Sequence, residues 1–198
     1  MVDADALRYS IATCHRCPLG DLRDSSGTVA VPAEPGSAYR VGGLAILAEA
    51  PGLRESQQGR PMVGPAGKTL DEILAAAGLQ RADVLLLNRI RCRPPNNKIK
   101  SKEGLSALAE CDPWLRAELS TYQPGVVLLM GGTAIEIAFG KSPSVGKTRG
   151  MVRHTRSEFE YGERTWVATA HPAAILHGDA HWGPLILQDL QLAKEMLR

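Results

Sequence analysis

The sequence predicts an α/β protein of three layers, α/β/α, built on a central, mainly parallel four-stranded sheet. Three observations carry that expectation. Short apolar runs of four or five residues recur along the chain, amphipathic segments of helix length separate them, and each run is bounded by Gly, Pro, Asn or charge. Strands buried on both faces read as such continuous runs, and strands that alternate with helices pair in parallel. The 198 residues and 44% hydrophobic content suit one domain, expected over 1–198. No apolar stretch reaches the roughly 18 residues that cross a bilayer, so no membrane partner is expected.

In chain order, Ala4 to Ala12 reads as a short helical lead, and Val31 to Gly43, rich in Pro and Gly, as a long loop. The strands are Leu44–Ala48, Val84–Leu87, Val126–Met130 and Trp166–Thr169. Helices are expected at Gly67–Ala77, Gly104–Thr121, Ala134–Phe139 and Pro184–Leu197. Ligands of parallel sheets bind beyond the carboxyl ends of the strands, so the residues after each run matter most. Those are Glu49-Ala50-Pro51-Gly52, Asn88, Gly131-Gly132 and His171-Pro172. A carboxylate, a carboxamide and an imidazole on one rim suit recognition and hydrolysis of a small planar ligand.

Four cysteines, Cys14, Cys17, Cys92 and Cys111, are the other chemical signal. Cys14-His15-Arg16-Cys17 is a C-x2-C pair, and closing a site with Cys92 and Cys111 staples the N-terminal segment onto the middle of the fold. Four thiolates suit Zn²⁺ or a [4Fe–4S] cluster. Nothing resembles a secretory leader, so a cytoplasmic location and reduced thiols are expected rather than disulfides. The net charge of +2 says little, but Arg89, Arg91, Arg93, Lys98, Lys100 and Lys102 crowd a stretch without acids. Lys147, Arg149, Arg153 and Arg156 form a second basic stretch. Such clustering is the footprint of a phosphate-backbone binder.

Four segments carry a resemblance. A-E-A-P-G (Ala48–Gly52), Q-G-R-P-M-V-G-P-A-G (Gln58–Gly67), N-R-I-R-C-R-P-P-N-N (Asn88–Asn97) and H-P-A-A (His171–Ala174), with all four cysteines, resemble the signatures of the family 4 uracil-DNA glycosylases. The resemblance runs from Cys14 to the C-terminal helix. It implies a monomer that flips uracil out of single- or double-stranded DNA, hydrolyses its N-glycosidic bond and leaves an abasic site. It implies a [4Fe–4S] cluster, rather than zinc, on Cys14, Cys17, Cys92 and Cys111.

By the same likeness Asn88 matches the base-reading asparagine and His171 the catalytic histidine. A fixed carboxamide complements uracil's N3–H and O4 and mismatches cytosine, while a neutral imidazole N–H stabilises charge growing on uracil O2. Glu49 is expected near the glycosidic bond and Glu55 where a thymine methyl would intrude, although Glu55 also reads as an exposed carboxylate leading a helix. Ala50 and Gly52 belong with them against the substrate. Arg93, Lys98 and Lys100 are expected on DNA, and Ile175 and Leu176 match the wedge that fills the vacated stack.

Met62 departs from the family, where Phe usually stacks on the flipped base; a thioether is adaptable but not flat. A base range extended to hypoxanthine or xanthine is one alternative, and a non-catalytic or covalent uracil-DNA binder is another. Certain relatives trap DNA through a histidine in an arginine-rich loop, and Asn96–Glu103 has none.

Overall fold

Leucine-rich runs with no polar interruption have to be buried on both sides, and the four expected strands are. A computed structural model describes residues 3–141 and 144–197. Its elements begin with α1 (Ala4–Ala12), α2 (Pro18–Ser25), β1 (Glu34–Pro35), β2 (Leu44–Ala48), α3 (Leu53–Gln58), α4 (Pro65–Ala76) and β3 (Leu85–Asn88). There follow α5 (Lys102–Glu110), α6 (Asp112–Tyr122), β4 (Val126–Met130), α7 (Gly132–Phe139) and α8 (Val145–Thr148). The chain closes with β5 (Val152–Thr155), β6 (Arg164–Thr169), α9 (Ala173–Leu176) and α10 (Trp182–Glu195).

Among the described residues the sheet has six strands rather than four, in the order β1-β3-β2-β4-β6-β5. The four expected strands are contiguous and parallel, and the two extra ones are antiparallel edges. Neither edge carries an apolar run. β1 is the dipeptide Glu34-Pro35, and β5 is Val-Arg-His-Thr with its two middle side chains exposed. Proline and charge are how natural edge strands avoid further pairing, so the features that hid these strands also belong to them.

Successive side chains of β2 enter opposite cores. Leu44, Ile46 and Ala48 pack with α4 and α10; Ala45 and Leu47 pack with α6 and α7. Three layers result. A third cluster lies at one end, where Leu7, Ile11 and Leu19 meet Ile90, Cys92, Ala107 and Cys111. The single helix expected over Gly104–Thr121 is two, hinged at Cys111. Pro113 is the cause: without an N–H it cannot continue the ladder of α5, and it starts α6 instead.

Register sets the rim. Ala48 pairs with Asn88, and Met130 pairs with Thr169. Beyond them the ladder runs on, with Arg89 N–H to Ala48 O at 2.8 Å, Ile90 N–H to Glu49 O at 3.2 Å and Gly131 N–H to Thr169 O at 3.1 Å. Glu49, Asn88, Gly131 and the approach to His171 are thereby held at one level.

Arg91 lies within the basic stretch yet is 1% exposed, in an ion pair with Glu118, also 1% exposed, whose other oxygen accepts the Ala33 N–H at 2.7 Å. Removing one member of such a pair strands the other charge in a dry interior, at a cost of about 3–5 kcal/mol. Glu118→Ala should therefore lower the unfolding free energy by about that much in urea titrations, whereas Glu118→Leu combined with Arg91→Met should lose less than Glu118→Ala alone.

Candidate active site

At the rim lies a cavity of about 610 Å³. Glu49, Ala50, Gly52, Glu55, Met62, Asn88, His171 and Leu176 all line it. Every residue expected at the base or in the chemistry thus meets in one space, brought there from the ends of β2, β3 and β6 and from α3 and the loop before α4.

Asn88 ends β3 and is 2% exposed, and its Nδ2 is buried without a hydrogen-bond partner. An orphaned buried donor costs about 1–3 kcal/mol until something bonds to it, and Asn88 borders the cavity, where an acceptor has room. The carboxamide is poised for an acceptor that arrives with a ligand.

Glu49 follows β2 and reaches across to the start of α7. Its Oε1 accepts the Thr133 N–H at 2.8 Å and the Thr133 hydroxyl at 2.6 Å. The amide is one of the free donors that begin every helix, so a carboxylate is favoured there. Gly131 makes the approach possible: its φ is +92°, and a Cβ on it would lie 2.9 Å from Glu49 Cδ. Among the described residues no hydrogen bond engages the second oxygen, and Glu49 lines the cavity. Thr133 escaped the sequence analysis, although it stands directly after the Gly131-Gly132 strand end.

Glu55 is not the exposed carboxylate that a helix lead suggests. It lies in α3, is 8% exposed and accepts the Gly64 N–H at 2.7 Å, where Gly64 caps α4. Cβ atoms at Gly52 and Gly64 would lie 2.7 and 3.0 Å from its oxygens, so both glycines cradle the group. Met62 is 5% exposed, belongs to the core beside α4 and still borders the cavity. Its backbone is left-handed at φ +54°, held by Arg81, whose guanidinium donates to the carbonyls of Pro61 at 3.1 Å and Met62 at 2.5 Å.

His171 follows β6. The Ala173 N–H, the first donor of α9, donates to its Nδ1 at 3.1 Å. A ring that accepts at Nδ1 carries its proton on Nε2 when neutral. Burial pushes the His171 pKa below the usual imidazole range, against the opposing pull of Glu49 and Glu55. The favoured state is a neutral donor at a cavity wall.

The four cysteines gather at the third cluster, all as free thiols. Burial, aided by the charge of Cys111, pushes Cys92 up to about 12, and burial also raises Cys111 and Cys17. Cys14 adds to the repulsion felt by the other three, and Trp114 Nε1–H donates to its Sγ at 3.2 Å. Cys92 and Cys111 are buried and Cys14 and Cys17 half-buried, and neighbouring thiols whose negative charges repel one another ionise against a multivalent cation, so the donor set fits a metal centre. Among the described residues no group of three or more His, Cys, Asp or Glu is drawn tightly enough to hold one metal ion. Arg23, 6% exposed, lies against Cys92 and donates to Cys14 O at 3.2 Å, a neighbour that the sequence did not signal.

The basic stretches divide. Lys98 and Lys100 are exposed beside the cavity, and Arg93 donates to Asn97 at 2.7 Å. Arg89 and Arg91 turn inward, to Thr133 O and Glu118, and Arg149 pairs with Asp189 of α10. Alternation and buried partners decide this, and a run of positive charge does not display them. Of the wedge pair, Leu176 is 49% exposed at the cavity, whereas Ile175 packs against the core. Asn97, Ile99 and His177 also line the cavity and were not singled out by sequence.

Residues 42–191 match the Uracil DNA glycosylase superfamily. The chain belongs to that superfamily. It is 32% identical to a Type-4 uracil-DNA glycosylase of Pyrobaculum aerophilum over 183 residues, covering 90% of this chain and 87% of the relative. A Type-4 uracil-DNA glycosylase of Thermotoga maritima is 32% identical over 158 residues, 78% of each chain. One from Archaeoglobus fulgidus is 30% identical over 182 residues, 89% of this chain and 85% of the relative. The α/β/α layering of this superfamily member and its mainly parallel sheet accord with the match. Among the described residues no helix is long and apolar enough to cross a membrane.

The buried imidazole of this superfamily member makes stability depend on pH. Its folded pKa lies below that of an unfolded histidine, so the unfolded chain takes up the proton first as pH falls. The stability at stake is whole above about pH 6.5 and declines below it, by at most about 1.4 kcal/mol per pH unit. Thermal melts from pH 7.5 to 5 should show His171→Gln losing less stability than the wild type across that window.

Proposed function

We propose that this chain excises uracil from DNA by hydrolysing the N-glycosidic bond and leaving an abasic site. One observation carries the proposal: a buried carboxamide with an unpartnered donor shares a cavity with an imidazole whose Nδ1 is occupied. The names borne by its relatives support the same activity.

A base inside a duplex is out of reach, so the nucleotide is extruded at a cost of a few kcal/mol. Lys98 and Lys100 hold phosphates from the cavity's edge, and Leu176 enters the vacated stack. Asn88 Nδ2 donates to uracil O4 and its carbonyl oxygen accepts from N3–H, a pattern that cytosine reverses. Glu55, rigid between two glycines, closes the space that a 5-methyl group would need. As C1′–N1 breaks, its electron pair leaves with uracil, and His171 Nε2–H donates to the charge developing on O2. The sugar becomes oxocarbenium-like. Oε2 of Glu49 orients a water whose oxygen bonds to C1′, and the released proton passes through the carboxylate to solvent.

Cys14, Cys17, Cys92 and Cys111 would hold a [4Fe–4S] cluster. Four cysteine thiolates are the donor set such a cluster takes, and the resemblance to the family 4 enzymes favours it over zinc. When bound it supplies a cross-link between the N-terminal helices and the core, away from the cavity. Purified protein should be brown and contain about four irons per chain, and chelation of the metal should lower its melting temperature; one zinc per chain in colourless protein would contradict the assignment.

The direct test is release of free uracil from a labelled oligonucleotide. Wild type should leave alkali-labile sites at uracil, and His171→Ala should slow the reaction by about 10² or more while still binding DNA. Asn88→Asp should impair uracil release and admit slow release of cytosine. Absence of uracil release by the wild type, with hypoxanthine released instead, would reassign the substrate.

A further inference from the structure

A second, smaller cavity of about 300 Å³ opens beside the first, between α2, α3 and the Pro94-Pro95 turn. Leu53 belongs to both. Arg93 lines the slot, and its guanidinium donates at 2.7 Å to Asn97, which lines the first cavity. Leu22 and Leu53 line the slot and are 41% and 48% exposed, two of the few large apolar side chains left open to water. Pro94, Pro95 and Gln57 also line it, and none of its lining residues is acidic.

We infer that this slot is a subsite for the unpaired nucleotide adjoining the flipped uracil, so that the chain engages single-stranded DNA through two neighbouring bases. The inference rests on the uracil-excision reading and deepens it. A strand whose uracil fills the first cavity passes over the rim at Leu53, and its next residue arrives at the slot. A nucleotide has the chemistry the slot presents: an apolar base face for Leu22, Leu53 and the prolines, base-edge groups for Gln57, and a phosphate for Arg93. Base faces bind non-polar platforms without regard to sequence, so the subsite adds affinity and not a motif. In a duplex the neighbouring base stays stacked and paired. The slot then stays empty, and the benefit is confined to single strands.

Leu22 is exposed, on a helix that does not touch the base cavity, so its replacement leaves the core intact. Excision should be timed with Leu22→Gln and Leu22→Phe on three substrates: a single strand with nucleotides on both sides of uracil, shorter strands ending at uracil on either side, and the duplex. Leu22→Gln should raise KM about three- to tenfold on the full single strand, with kcat within about twofold, and leave KM unchanged on the duplex and on one of the shortened strands. Leu22→Phe should lower KM on the full single strand, a gain that damaged folding cannot produce. A 2-aminopurine placed next to uracil should report the same differences by fluorescence on binding.

Equal KM for wild type and both variants on every substrate would overturn the subsite. So would a shift of the same size on the duplex and both shortened strands, which marks a general DNA contact. If the wild type releases no uracil at all, the excision reading fails separately, and fluorescence titration of uracil-free single strands still decides whether Leu22 contacts a base.

Discussion

The hydrogen bond from the Ala173 amide to His171 Nδ1 decides what the imidazole can do. A neutral histidine has one ring proton, and this contact leaves it on Nε2. The donor comes from the opening turn of α9, where backbone N–H groups have no helical partner, so the fold supplies it without a second side chain. Burial acts in the same direction by disfavouring the imidazolium. A neutral donor gains strength as charge builds on a leaving group, whereas a cation would also bind the ground state.

The same device recurs at the two carboxylates. Glu49 is held by the first turn of α7, and Glu55 by the capping Gly64 of α4. Three helix starts therefore fix three side chains; those of α7 and α9 reach the rim because they follow the parallel strands β4 and β6, and that of α4 reaches it from the loop after α3. Asn88 is the exception. Its donor is buried and unmatched beside the cavity, and such a group is where a ligand's own polarity enters.

Much of this was legible in the sequence because the informative residues sit at strand ends. Leu44–Ala48 and Val126–Met130 form with the expected bounds, since unbroken apolar runs leave no other place for them. Residues 49, 88 and 171 then follow from topology. β5 was hidden because an edge strand with Arg153 and His154 exposed has no apolar signal. The hinge at Cys111 was written in Pro113 but outweighed by the apolar periodicity on either side. The inward turn of Arg91 and Arg149 depends on Glu118 and Asp189, tens of residues away in sequence. The orphaned amide of Asn88 and the slot beside Leu53 are properties of packing alone, and no local pattern announces them.

The central claim is that a neutral imidazole presents its Nε2 proton to the cavity at working pH. Nitrogen-15 NMR of histidine-labelled protein, with His171 assigned by substitution, measures it most directly. The account predicts a neutral ring at pH 7 with the proton on Nε2, persisting below pH 6.5. A protonated imidazolium at pH 7, or a neutral ring with its proton on Nδ1, would contradict it.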